Sequence, residues 1–424
     1  MSLRKDKYRK RLIDDKIEKY LKIFGAISIQ GPKWCGKTWT SLNHANSVTY
    51  MTEKSSRDLA KIDPKYIFTR ESPQLIDEWQ IVPSIWDTVR HECDDNYEKG
   101  KFILTGSTSL TKEEREEEVF HSGTGRIAIM RMHPMSLYES GDSTGDISIR
   151  DMLNNNVKCG HVRKVELYEL ARLIIRGGWP ENIEIDAENA SIIPKSYIDS
   201  LINSDINERK DKKRDSNKMR MLLRSLSRNE SSIAGNETII KDIEDSEDVI
   251  KSRITVADYL NVLDDLYLIT NQEAFSINYR SSKRIGKSPK RHIVDPSLAC
   301  ACLDLTEDKL MRDLNTFGLM FESLVERDLR IYMDYLDGHL YHFRDNVSGN
   351  EVDAIIEFRD GNYGAIEIKL SDIRIEEAKE NLLKFYANVE KKPKFMCIIC
   401  GHYEAIVKDK ETGIYIFPIT TLKP

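Results

Sequence analysis

No stretch of this sequence approaches the roughly 18 to 20 uninterrupted apolar residues that a helix needs to cross a bilayer. The opening segment MSLRKDKYRKRLIDDKIEKY is charged throughout and lacks a signal-peptide core. A membrane span is thereby excluded and a cytoplasmic location expected. Disulfide pairing has equally little support. The seven cysteines are an odd, scattered set, mostly inside apolar segments such as 297–302, which suits a reducing compartment rather than a cross-linked scaffold. Cys397 and Cys400 form a C-x-x-C, but with no second pair and within an apolar run they read as strand residues rather than metal ligands. Also missing are internal repeats, low-complexity tracts and any overall excess of positive charge. The formal net charge is −6, and the 32% of residues that are charged carry both signs interspersed, so any basic surface must be local.

A chain of 424 residues can hold several ordinary domains, each with its own core. Near its start the apolar, strand-type run 25–30 leads into Gly31-Pro32-Lys33-Trp34-Cys35-Gly36-Lys37-Thr38 and then into a helix-compatible segment. This satisfies G-x-x-x-x-G-K-[ST] in the context that gives the motif meaning. The glycines let the loop wrap, so that backbone N–H groups and the helix N-terminus point at phosphates. Lys37 adds positive charge near the β- and γ-phosphates, and the Thr38 hydroxyl can ligate Mg²⁺. ATP with Mg²⁺ is therefore the expected ligand. Further apolar runs at 47–51, 74–79 and 101–104, separated by helix-length segments, predict a mostly parallel sheet flanked by helices. At the end of the second of these runs Asp77 would hold the Mg²⁺ through water, and Glu78 would polarise the attacking water. Thr105 or Ser107, ending the run 102–104, stands where a γ-phosphate sensor would be. Arg126, after a glycine-bearing loop, is positioned to reach a nucleotide, its own or a neighbour's.

From Val165 to Ile206 the pattern turns helical, with the break Arg176-Gly-Gly-Trp-Pro180 inside it. Residues 208–228 then carry nine basic side chains (Arg209, Lys210, Lys212, Lys213, Arg214, Lys218, Arg220, Arg224, Arg228) against three acidic ones. A helical segment at 254–269 runs into a hairpin with Arg280, Lys283, Arg284, Lys287, Lys290 and Arg291. Helices followed by a basic hairpin predict a winged helix. In the last quarter, Asp353 lies on one strand of a second hairpin, and Glu367 and Lys369, two apart on the other strand, share a face. Cross-strand pairing can bring Asp353 beside them, and Glu322 of a preceding helix could join them. Two carboxylates that bind a divalent metal, with a lysine that activates water, suit attack on a phosphodiester.

Taken in order, these residues resemble a family of archaeal and bacterial ATPases with an AAA-type module, a winged helix and a C-terminal domain similar to restriction endonucleases. The segments 31–38, 75–78, 104–107, 125–126, 176–180 and 291–296, together with Glu322, Asp353, Glu367 and Lys369, carry the resemblance. It implies a Walker B role for Asp77 and Glu78, and a PD-(D/E)xK nuclease pattern at Asp353, Glu367 and Lys369 with metal at the two acids. Val352 stands where that pattern has proline, and the short strand before Asp77 contains Gln74. The expected architecture is α/β: a P-loop AAA-type domain over 1–150, a helical lid or connector over 151–206, a winged helix over 207–308 and a restriction-endonuclease-like α/β domain over 309–424. Two functions stay open, an ATP-hydrolysing protein coupled to DNA binding or cutting and a nucleotide-gated interaction protein. Self-association is left open as well.

Overall fold

The computed structural model describes residues 3, 6–69, 71–96, 98–110, 119, 122–186, 188–205, 215–244, 253–276, 288–345 and 349–424. They form two compact units, Met1–Pro134 with Leu263–Leu268, and Met135–Val262 with Ile269–Pro424. Among the described residues no helix is long and apolar enough to cross a membrane.

The first unit is built on five parallel strands: β1 (Ala26–Gln30), β2 (Ser47–Tyr50), β3 (Gln74–Asp77), β4 (Phe102–Gly106) and β5 (Ile127–Arg131). Their order in the sheet is β2-β3-β4-β1-β5. Parallel strands joined by helices are covered on both faces, so they tolerate continuous apolar sequence. Ala26, Ile27, Ile29, Leu75, Ile76, Ile103 and Leu104 are accordingly fully buried. Helices α1 (Ile13–Leu21), α2 (Lys37–His44), α3 (Lys54–Ile62) and α4 (Ile85–Asn96) connect and cover the strands. One core joins Trp86 and Val89 of α4, and Trp79, to Ala26, Phe102 and Leu104 of the sheet. Gln74, the polar residue of β3, is completely buried and fully employed: Nε2 donates to Thr49 Oγ1 (2.9 Å) and Ile67 O (2.7 Å), and Oε1 accepts from Thr69 N (2.8 Å). Such satisfaction is what lets an amide sit in a core strand. Because β4 lies between β1 and β3, with Gln30 opposite Gly106 and Asp77 opposite Thr105, the ends of all three strands meet at one sheet edge.

The second unit holds a mixed nine-stranded sheet in the order β7-β14-β15-β13-β12-β11-β10-β8-β9. Its strands are β7 (Gly160–His161), β8 (Ile269–Ala274), β9 (Lys290–Ile293), β10 (His339–Arg344), β11 (Glu351–Glu357), β12 (Tyr363–Ser371), β13 (Phe395–His402), β14 (Ala405–Lys408) and β15 (Tyr415–Pro418). A separate pair joins β6 (Ile147–Ser148) to β16 (Leu422–Lys423). In chain order the main helices are α5 (Leu167–Arg176), α6 (Ile192–Ser200), α7 (Ser216–Arg228), α8 (Asn236–Glu244), α9 (Arg253–Asp265), α10 (Pro296–Cys302), α11 (Glu307–Arg312), α12 (Leu314–Tyr335) and α13 (Ile375–Asn388). Helix α13 presses Ala378, Leu382 and Phe385 onto Val352, Ile355, Ala365 and Ile398 of the sheet. Cys397 and Cys400 are buried on β13.

These units differ from the expected segments in three respects. The first unit ends at Pro134 rather than 150 and includes 263–268. Within the segment 151–206, expected as a lid or connector, α5 is core of the second unit, where Leu170, Ala171 and Ile174 are fully buried and the helix packs on α10, α12 and β13. The antiparallel pair β8–β9 does follow helices α7, α8 and α9, but β8 also pairs in parallel with β10, so one sheet crosses the expected limit at 308/309. Strand periodicity shows that a segment can pair, not with which partner, so the β8–β10 pairing carries no sequence signal.

The two motif segments 176–180 and 291–296 meet. Gly178 N donates to Asp295 Oδ2 (2.9 Å), Trp179 Nε1 to Ser297 Oγ (2.9 Å), and Arg327 of α12 bridges Asp295 (2.9 Å) and Asp328 (2.8 Å) in full burial. A Cβ on Gly178 would lie 2.1 Å from Met135 O, so only glycine admits this approach.

Candidate functional site

Between β1 and α2 the loop Gly31–Thr38 is shaped by two glycines. Gly31 lies so close to the neighbouring chain that a Cβ would come within 2.1 Å of Met132 O, and Gly36 has φ 100° at the N-terminus of α2. Trp34, 47% exposed, adopts φ 63° without being glycine. Pro32 and Cys35 are buried within the loop, and Lys33 is half-buried. Lys37 is buried and its Nζ donates to Gly31 O (3.0 Å) and Pro32 O (2.8 Å), so its charge lies over the loop's own carbonyls. From behind, the buried Arg11 guanidinium donates to Cys35 O (2.8 Å), His133 O (2.8 Å) and Pro134 O (3.2 Å). Asp14 of α1 likewise grips α2: it accepts from Tyr8 Oη (2.7 Å) and bonds His44 Nε2 (2.8 Å).

At the same edge Asp77 Oδ1 accepts two hydroxyls, Thr38 Oγ1 at 2.8 Å and Thr105 Oγ1 at 2.6 Å. Burial raises the Asp77 carboxyl above its ordinary value, against the pull of these hydroxyls. Glu78, in the left-handed region at φ 56°, receives Ser107 Oγ (2.8 Å) on Oε2, and Gln80 Nε2 shares that oxygen. Its backbone N–H donates to Thr105 Oγ1 (3.3 Å). Both sensor candidates are thus engaged, one on each acid. The Thr38 hydroxyl and the Asp77 carboxylate, side by side at the loop, are hard oxygen donors that fit Mg²⁺.

Arg126 lies elsewhere. Its carbonyl accepts from Ala26 N at the start of β1, and its guanidinium meets Asp94 (2.6 Å) in a half-exposed ion pair. The five residues of β1 separate it from the loop, roughly 16 Å of strand at ~3.3 Å per residue. Its main chain thus lies at the end of β1 away from the loop, with the guanidinium on Asp94.

One partner of the site had no sequence signal. Helix α9 ends with Tyr267 N bonded to Asp264 O and Leu268 N to Leu263 O, with Tyr267 at φ 62°. Glycine normally fills this left-handed cap. The tyrosine's hydroxyl donates to Gln30 Oε1 (2.9 Å) just before the loop, Arg131 stacks on its ring (4.1 Å), and Ser109 Oγ, two residues past Ser107, donates to Asp265 Oδ1 (2.7 Å).

In the second unit the pairing of β11 with β12 opens after Ala354–Ile366, and the Asp353 carboxylate fills the gap by accepting from Ile368 N (2.8 Å). Lys369 Nζ lies 2.6 Å from Glu367 Oε2 and 3.3 Å from Asp353 Oδ2. Asp353, Glu367 and Lys369 are therefore brought together as expected, and Glu322 joins through Lys290, whose Nζ lies 2.8 Å from Glu322 Oε1 and 3.9 Å from Asp353 Oδ1. Lys290 was expected on the DNA-facing hairpin; it is instead buried. Arg280, Lys283, Arg284 and Lys287 of that hairpin, and residues 209–214, lie outside the described residues. Burial would raise Asp353, but Lys369 and Lys290 outweigh it and hold the carboxyl low. Burial and the Asp353 charge push Glu367 up to about 8 despite Lys369. Among the described residues no group of three or more His, Cys, Asp or Glu side chains is arranged to hold a metal. Asp353 and Glu367, the two acids expected to hold a metal, each face a lysine in this arrangement.

The loop, the paired acids and the sheet order define the first unit as a P-loop ATPase module of the AAA type. Residues 24–141 match a family described as "AAA domain". Residues 167–309 match a domain of unknown function (DUF8612) and residues 317–422 another (DUF4143). No curated protein matches the chain. Among solved structures it is similar to the Walker-type ATPase PABY2304 of Pyrococcus abyssi, with 13% identity over 71% of this chain and 98% of that one and a TM-score of 0.42. The ORC2 protein of Aeropyrum pernix follows with 11% identity over 74% and 98% and a TM-score of 0.34. DnaA of Aquifex aeolicus has 11% identity over 60% and 86% and a TM-score of 0.28.

Proposed function

We propose that the chain hydrolyses ATP at the first unit and couples the nucleotide state to DNA held by the second. The observation that carries the hydrolytic part is the Thr38–Asp77–Thr105 hydroxyl–carboxylate chain beside Glu78 and Ser107. On ATP binding Lys37 exchanges the Gly31 and Pro32 carbonyls for phosphate oxygens, while loop N–H groups and the start of α2 cradle the rest. Thr38 and Asp77 would hold Mg²⁺, which supplies charge neutralisation on the β- and γ-phosphates. Glu78 orients the attacking water, Thr105 and Ser107 hold the two acids in place, and Arg126 serves a neighbouring copy. Tyr267 and Asp265, through Gln30 and Ser109, pass any shift of the loop or of β4 to helix α9.

DNA is the partner best suited to the basic segments 208–228 and 280–291. Lys218, Arg220, Arg224 and Arg228 all lie on α7; of these, Arg220 and Arg228 are partly paired with Asp199 and Asp242. Helix α9, the third of the three helices ahead of the β8–β9 pair and so the reading helix of a winged helix, carries Asp258, Asp264 and Asp265. Engagement is therefore through phosphates rather than base edges. No cutting step belongs to this reading.

Nucleotide binding and steady-state turnover of the full chain, with Lys37→Ala as control, test it with and without duplex DNA. Loss of binding in the variant, stimulation by DNA and a steep decline of DNA affinity with salt are expected. Turnover indifferent to DNA, with tightly retained ADP, would instead favour a nucleotide-gated interaction protein, a reading that the acidic α9 also supports.

A further inference from the structure

The nuclease-like cluster contains a cation of its own. Lys290 enters from β9, 8% exposed, with its Nζ between Glu322 Oε1 (2.8 Å) and Asp353 Oδ1 (3.9 Å). The other Asp353 oxygen faces Lys369 Nζ (3.3 Å) and Ile368 N (2.8 Å). One oxygen of the central carboxylate is thus hydrogen-bonded, and the other lies within ion-pair range of Lys290. Nor is Lys290 a loose side chain that drifted in. Its strand pairs with β8, Lys290 opposite Gln272, and Gln272 Nε2 donates to Tyr341 O (2.9 Å) of β10 and Asp353 O (3.0 Å) of β11. Two positions on, His292 is fully enclosed between Glu230 and Gln272. The hairpin is sewn to the very strands that carry the carboxylates.

We infer that Lys290 is a built-in counter-ion that takes the place of a divalent cation between Glu322 and Asp353, so that this cluster binds no metal and cleaves no phosphodiester. An ammonium can neutralise carboxylates by donating hydrogen bonds, but it offers no ligand position to water. It therefore cannot lower the pKa of a bound water or polarise a phosphoryl oxygen, as a metal does. A divalent ion at the 2.0–2.6 Å oxygen distances such ions require would collide with the ammonium and be repelled by its charge. The cluster is a metal-free ionic joint that ties β9, α12, β11 and β12 together. This inference is independent of the ATPase reading, because it needs no nucleotide.

The test is Mn²⁺ titration of the nucleotide-free full chain, with free Mn²⁺ followed by electron paramagnetic resonance, for the wild type, Asp353→Asn, Lys290→Met and the double variant. Wild type and Asp353→Asn are expected to give the same isotherm. Lys290→Met is expected to gain one added site, at least ~10-fold tighter than any wild-type site, that the double variant lacks; that factor corresponds to about 1.4 kcal/mol. A wild-type Mn²⁺ site abolished by Asp353→Asn overturns the inference, and so does a folded Lys290→Met that gains nothing. Should circular dichroism show Lys290→Met unfolded, the wild type against Asp353→Asn decides, with Lys290→Arg as a charge-keeping control that must also bind no Mn²⁺ through Asp353.

Discussion

Replacing Thr105 by valine removes one hydroxyl, and the two hydrogen bonds it makes, from the nucleotide site. Thr105 is fully buried at the end of β4, and its hydroxyl donates to Asp77 Oδ1 at 2.6 Å while accepting from Glu78 N at 3.3 Å. Valine keeps the shape, so no cavity forms and the packing around β4 is retained. What disappears is the long bond from Glu78 N and, the larger part, a hydrogen bond to a charged group, worth about 1.5–3 kcal/mol when the partner is left buried. Asp77 keeps only the Thr38 hydroxyl, its carboxyl rises further above the ordinary range, and Glu78 loses the acceptor that helps hold it at φ 56°. If this energy is expressed in the hydrolytic step, kcat falls about 10- to 150-fold, since about 1.4 kcal/mol is a factor of ten. ATP affinity should hardly change, because Lys37 and the loop N–H groups are untouched. Steady-state ATPase and equilibrium nucleotide binding separate the two effects, with thermal unfolding as the control for fold. Thr105→Val and Asp77→Asn share one interaction and should be non-additive, whereas Thr105→Val and Ser107→Ala act on different acids and should add in ln kcat. An unchanged kcat, or a loss of affinity that accounts for all of a lowered kcat/KM, would refute this reasoning.

Tyr267→Phe removes only the hydroxyl that meets Gln30. Basal turnover should persist while stimulation by DNA drops severalfold, in keeping with ~1 kcal/mol for one hydrogen bond; undiminished stimulation removes Tyr267 from the relay. Arg126→Ala and Lys37→Ala proteins, each inactive alone, should regain ATPase when mixed, because one supplies the arginine and the other a working loop; a mixture that stays inactive rules out action between copies. For Glu367, whose folded-state pKa is pushed up to about 8 from 4.5, the sign follows from proton binding. The folded chain keeps a proton that the unfolded chain surrenders, so this group's contribution to stability is full below about pH 4.5 and is lost as pH rises to about 8. Glu367→Gln should flatten the decline in denaturant stability between about pH 5 and 8; parallel pH profiles for the two proteins would reject the shift.

How much of this could be read beforehand depended on the reach of each contact. The phosphate loop, Asp77, Glu78, Thr105 and Ser107 were legible because each sits at the end of a short apolar strand, and parallel strands deliver their ends to one edge. Asp353, Glu367 and Lys369 were legible for the same local reason, a hairpin with alternating side chains. Arg11, Tyr267 and Lys290 were not, since their partners lie 24, 237 and 32 residues away in Cys35, Gln30 and Glu322. No periodicity encodes such pairings. Composition even misdirected the reading of Lys290: a lysine in a basic hairpin was expected to face DNA, yet its place in the buried pattern of β9 turns it inward.

The same reasoning explains why the two motifs 176–180 and 291–296 belong to one device. Arg327 is flanked by Asp295 at 2.9 Å and Asp328 at 2.8 Å, all three enclosed, and burial pushes Asp328 up to about 6 in spite of the arginine. Asp295 also caps α10 through Ser297 N (3.0 Å) and receives Gly178 N, while Asp328 Oδ2 receives Leu137 N (2.9 Å). One guanidinium thus orients two carboxylates that together fix four chain segments, near 137, 178, 297 and 327. Removing the arginine alone leaves two enclosed carboxylates without a counter-charge, a loss of about 3–5 kcal/mol for a buried pair. Arg327→Met should therefore unfold the second unit at distinctly lower denaturant, as followed by Trp179 fluorescence. A variant in which Asp295 and Asp328 are also made Asn should recover part of that loss, because the charges left stranded are gone. If the triple variant is no more stable than Arg327→Met, the guanidinium acts through packing and not through charge.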